Sequence, residues 1–87
     1  MRNNRDVHMA TFGATLQPNG SYIDRDGDTS WYNEEGDFHR LDGPAVIHAS
    51  GSVRWWINGK HFKSVKIWLK YTNHTDEQKL LLRLQYD

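Results

Sequence analysis

The sequence predicts an α+β fold: an antiparallel β-meander of short strands followed by two C-terminal α-helices. Three observations predict it. Glycines punctuate the chain at short intervals from Gly20 to Gly59. The segments between them favour aromatic and β-branched residues, as short strands do. Near residue 63 the apolar period changes from two residues to that of a helix. A chain of 87 residues is one domain. It divides into an N-terminal stretch, 1–20, that is flexible or a weak strand, a repeat-bearing sheet, 21–62, and a helical hairpin, 63–87, packed on that sheet.

In chain order, Met1–Arg5 is polar and reads as frayed. Val7, Met9 and Thr11 alternate with His8 and Ala10 as a weak first strand. Gln17-Pro18-Asn19-Gly20 is a turn, because Asn-Gly tolerates the positive φ of a tight hairpin. Tyr22-Ile23 precedes a turn at Asp26–Asp28. Strands follow over Thr29–Asn33, Phe38–Leu41, Ala45–Ala49 and Val53–Ile57, separated by Glu34–Asp37, Asp42–Pro44 and Ser50-Gly51. Asn58-Gly59 then turns the chain into His61-Phe62. Val65, Trp68, Leu69 and Thr72 share one face of a helix over Lys63–Thr72. Thr75 and Gln78 form a capping box for a second helix, Asp76–Gln85, with Leu80, Leu81 and Leu84 as its buried stripe.

Two units repeat. Gly27, Trp31 and Tyr32 align with Gly51, Trp55 and Trp56 at a spacing of 24, and Gly36 with Gly59 at 23. One such hairpin cannot bury its own apolar face, so copies share a sheet. The run Gly36-Asp37-Phe38-His39-Arg40-Leu41-Asp42-Gly43-Pro44-Ala45, followed by Gly51, Trp55, Trp56 and Asn58-Gly59-Lys60, resembles the MORN-like repeat, in the variant common in small bacteriophage proteins. The resemblance covers about residues 26–62. The second copy lacks its own Asp-Gly-Pro-Ala, and Glu34-Glu35 replaces the usual Asn of the first. The resemblance implies a scaffold for binding and specifies no activity. His39, Arg40, Asp42, Gly43 and Pro44 read as structural: Asp42 bonds the turn, Gly43 allows it, Pro44 fixes φ, and His39 and Arg40 reach Asp42.

Net charge is zero but unevenly spread. Residues 24–42 hold seven acids against two arginines, and residues 43–75 hold five cations and no acid. The two stretches either neutralise one another across strands or present faces of opposite sign.

There is no Cys, which excludes disulfides and thiolate metal sites. His8, His39, His48, His61 and His74 lack metal-ligand spacing. Asp24-x-Asp26-Gly27-Asp28 lacks the ligands that complete a calcium loop. No nucleophile is marked by a catalytic motif. The expectation is a non-enzymatic protein without cofactor or metal. The absence of a signal-length apolar run implies a cytoplasmic setting.

A strand sends alternate side chains to opposite faces. One of Trp55 and Trp56 is therefore covered by the helices, and the other lies on the open face with one of Trp31 and Tyr32. The expected partner-binding set is Trp31, Tyr32, Arg54, Trp55, Trp56, Lys60, Lys63, Lys66 and Lys70. The expected role, carried by the phage-type resemblance, is to bind and inhibit a host protein, either a defence component or a toxin. Two alternatives stand beside it. One is a nucleic-acid-binding module using the basic aromatic segment 54–71. The other is an antitoxin-like partner of a cognate toxin. A homodimer contact is a further use of the exposed aromatics.

Overall fold

The computed structural model describes residues 14–86. The expected strand over Val7–Thr11, the N-terminal Met1–Arg5 and Asp87 lie outside them. Six antiparallel strands follow in sequence order: β1 (Thr15–Leu16), β2 (Tyr22–Ile23), β3 (Thr29–Ser30), β4 (Val46–Ile47), β5 (Val53–Ile57) and β6 (Lys60–Phe62). Helices α1 (Val65–Leu69) and α2 (Asp76–Tyr86) complete the chain. The meander-plus-helices architecture is as the sequence predicts. The sheet nevertheless starts earlier, because Thr15 and Leu16 pair with Ile23 and Tyr22.

The strands are short because the turns are close together, and four turns share one geometry. Gln17, Asp24, Asn33 and His48 each donate an N–H to the carbonyl four residues on, and each accepts from a glycine N–H three residues on. This is a type I turn closed by a left-handed glycine; Gly27 has φ 85° and its repeat mate Gly51 has φ 97°. The Asp24 carboxylate accepts from the N–H groups of Asp26 (2.9 Å) and Asp28 (3.1 Å). Asn33 Oδ1 does the same for Glu35 and Asp37. The acid-rich turns are thus built by side chains that hold their own backbone. The fifth turn, Asn58-Gly59, has φ 47° and 81° and uses two residues, which accounts for the one-residue slip between the repeats.

The strands expected over Phe38–Leu41 and Ala45–Ala49 are one line of chain. His39 donates its N–H to Trp31 and Ala45 accepts from Trp31, while β4 continues along β3. Arg40 and Ala45 bond to Trp56 and Arg54 on the other side. Leu41–Pro44 is therefore an excursion from a strand, where the sequence reads as a chain reversal.

Ser64 caps α1, its Oγ accepting from the Ile67 N–H at 3.2 Å. Only Val65–Leu69 is α-helical, shorter than the expected Lys63–Thr72; Lys70 and Tyr71 close it with i→i+3 bonds. The Thr75–Gln78 capping box forms in both directions, at 3.0 and 3.2 Å. The core lies between β5–β6 and α1: Trp55, Phe62, Val65, Trp68 and Leu69 are buried, and Trp68 is fully so. Leu82 and Tyr86 are what α2 adds to it. Leu80, Leu81 and Leu84 are not the buried stripe; they are 56%, 57% and 74% exposed. Tyr86 sets its ring edge-on against Trp55 at 5.4 Å. That contact, with Leu82 one turn earlier on the same side, rotates the leucines outward. Among the described residues no helix is long and apolar enough to cross a membrane.

Candidate binding face of the sheet

Residues paired directly across antiparallel strands point to the same side. Trp55 pairs with Phe62, and Trp56 with His61. Trp55 faces the helices, where its ring lies 4.6 Å from that of Trp68. Trp56 consequently faces away, onto the side without helices. Trp55, expected in the partner-binding set, is only 4% exposed and belongs to the core instead.

On the helix-free side the rings form a ladder across the sheet. Tyr22 meets Tyr32 edge-on at 5.8 Å. Tyr32 stacks on Phe38 at 5.1 Å, and Phe38 lies 5.2 Å from Trp56. His61 continues the row at 4.9 Å from Trp56. Tyr22 is buried; Tyr32, Phe38 and Trp56 are half-buried; His61 is exposed. Burial raises the Tyr32 phenol above its ordinary value, so the ring stays neutral and suited to apolar contact. Arg54, paired with Val46, stands exposed on the same side. Phe38, His61 and Tyr22 are absent from the sequence-derived set. Strand parity around Trp56 and Tyr32 is the signal that places His61, whereas Phe38 requires the pairing across Gly36.

The remaining sequence-derived residues lie elsewhere. Trp31 is on the helix side of its strand, with the Arg40 guanidinium 3.7 Å above its ring centroid. Lys60 sits 5.7 Å from the Phe62 ring and 5.5 Å from Tyr71. Lys66 is on the exposed surface of α1; Lys63 and Lys70 flank that helix and are exposed too. Arg54 and Trp56 are thus separated by the sheet from these lysines, and segment 54–71 does not form one continuous basic aromatic track. None of the four lysines reaches a carboxylate among the described residues. Among the described residues the two stretches meet at the contact of His48 Nδ1 with Asp28 Oδ2, at 3.4 Å. The Asp28 carboxylate also accepts the Ala49 N–H at 2.9 Å. That bond, aided by His48, holds its pKa below the ordinary 3.8.

The Arg40–Pro44 excursion is a compact lock. Arg40 Nε donates to Asp42 at 2.8 Å and its Nη1 to the Pro44 carbonyl at 3.1 Å. Gly43 is there for close approach, not for a left-handed turn: a Cβ on it would lie 2.7 Å from the Arg40 guanidinium carbon. Pro44 is fully buried. His39 does not reach Asp42; its Nδ1 accepts the Asn58 N–H at 3.0 Å and so ties the two repeat units together. The Trp68 indole N–H donates to the Arg40 carbonyl at 3.3 Å, and His74 Nε2 lies 2.9 Å from the Leu41 carbonyl. His39, His48, His61 and His74 thus serve four separate places in the fold.

Comparison of the chain with protein-family models, curated proteins and solved structures finds no match.

Proposed function

We propose that this protein is a non-enzymatic binding factor that captures another protein on the helix-free face of its sheet and inhibits it. The observation that carries this reading is the half-buried aromatic ladder Tyr32–Phe38–Trp56–His61 with Arg54 beside it. Rings held by neighbours on a sheet lose little conformational freedom on binding, and Trp, Tyr and Arg are the usual anchors of interfaces. The dispersal of the histidines into separate structural bonds supports a binding role over a catalytic one. The MORN-like, phage-type resemblance of residues 26–62 supports a target in the host cell, either a defence component or a toxin. The separation of Arg54 from Lys60, Lys63, Lys66 and Lys70 favours a protein partner over nucleic acid. The test is affinity capture from host lysate with the wild-type chain and Trp56→Ala in parallel. A protein retained by the first and lost by the second supports the reading. Retention of nucleic acid alone, or of nothing, overturns it.

A further inference from the structure

The edge of β5 beyond the end of β6 carries chemistry that neither the core nor the aromatic ladder uses. β6 ends at Phe62, opposite Trp55, so Val53 and Arg54 have no mate in β6. A half-enclosed cleft of about 420 Å³ opens there, within the size range of small-molecule sites. Trp55, Phe62 and Val65, otherwise residues of the core, line it together with Tyr86 of α2. Arg54 and Lys63 border it from either side of the sheet edge, and no carboxylate lines it among the described residues. The Arg54 side chain leaves β5 on the ladder side, but its guanidinium folds back to this edge. Arg54 gives its own carbonyl to the Ala45 N–H on the β4 side, so the preceding carbonyl, that of Val53, points to the β6 side. Arg54 Nη1 donates to that Val53 carbonyl at 2.9 Å. Nε and Nη2 remain as a planar fork, and neither donates to another group among the described residues.

We propose that this cleft binds a flat aromatic carboxylate. The ring enters among Trp55, Phe62 and Tyr86, and the carboxylate takes the Arg54 fork, with Lys63 as a second positive charge beside it. Aromatic rings pack on one another edge-on or offset, and a carboxylate accepts two parallel N–H bonds from a guanidinium. An apolar lining excludes water and strengthens that pairing relative to an open surface. An inorganic anion would leave the rings unused, and a neutral ring would leave the fork unused, so the cleft suits a molecule that carries both. Trp56 does not line the cleft, and the inference stands independently of the proposed function.

Calorimetric titration with benzoate, benzamide and acetate tests it. Benzoate carries ring and charge, benzamide the ring alone in nearly the same shape, and acetate the charge alone. The chain binds benzoate at least about tenfold more tightly than either, the difference that a hydrogen bond to a charged group carries. Backbone amide resonances of residues 53–55 and 62–65 shift as benzoate saturates the chain. Arg54→Gln, at an exposed position, keeps the circular dichroism of the wild type and loses that tenfold preference. Lys63→Gln weakens benzoate binding about twofold to threefold, as loss of an exposed charge pair does. Trp56→Ala leaves the affinity for benzoate unchanged, so this proposal and the proposed partner capture fail separately. Benzoate bound no better than benzamide or acetate overturns the proposal. So does an affinity indifferent to Arg54→Gln, or a set of shifts centred on the ladder.

Discussion

Trp55 and Trp56 are neighbours in sequence and belong to different parts of the molecule. Trp55 is sealed between β5 and α1, packed on Trp68 and Tyr86. Trp56 is one rung of a row of rings on the side without helices, buried at Tyr22, half-buried from Tyr32 to Trp56 and exposed at His61. The same residue type thus lies in the core on one side of a strand and in the proposed recognition surface on the other, and strand parity alone sorts the two faces. The difference teaches that aromatic content, high in this chain, measures neither core nor interface until the faces are sorted.

Substitutions can break that contrast, beginning with the strongest. Trp68→Ala removes the only fully buried indole together with its bond to the Arg40 carbonyl. The expected loss is about 3–5 kcal/mol, close to the whole stability of a small domain, and thermal unfolding followed by near-UV circular dichroism reads it. Gly43→Ala is next, at about 1–3 kcal/mol, because the added methyl overlaps the Arg40 guanidinium; a urea titration measures it. Trp56→Ala costs about 1–2 kcal/mol, less than Trp68→Ala because the ring is half-buried and keeps part of its surface in water, yet it abolishes the proposed partner capture. A loss of stability equal to that of Trp68→Ala would erase the distinction between the two faces.

The smallest effect concerns Asp28. Its carboxyl titrates below 3.8 in the folded chain because it accepts the Ala49 N–H. A group with a lowered folded pKa stabilises the fold above its unfolded value and loses that contribution as pH falls through the folded one. Stability therefore declines below about pH 4, and Asp28→Asn flattens this part of the decline. A set of melting curves between neutral and acid pH checks the sign.

The meander, the Asn58-Gly59 hairpin and the Thr75–Gln78 capping box are legible in the sequence because local chemistry decides them. Glycine, asparagine and aspartate hold turns with atoms only a few residues away. The excursion at Leu41–Pro44 is not legible in this way. Its strand character depends on bonds from residues 31 and 56, far along the chain. The leucine stripe of α2 misleads for a related reason. Periodicity shows that Leu80, Leu81 and Leu84 share a side, but Tyr86 docking on Trp55 decides which side turns inward. For the candidate site, Tyr32, Trp56 and Arg54 follow from parity and composition. Phe38 and Tyr22 emerge only when the strands are laid side by side.

Arg40 and Gly43 are thermodynamically a single unit. A methyl at position 43 collides with nothing but the Arg40 side chain among its nearest neighbours, so its cost exists only while the arginine is present. In an Arg40→Ala background, Gly43→Ala should therefore be nearly neutral, and the double-mutant cycle should show coupling of about 1–3 kcal/mol. Sequence drift at one of these positions releases the other, and the two should be gained or lost together.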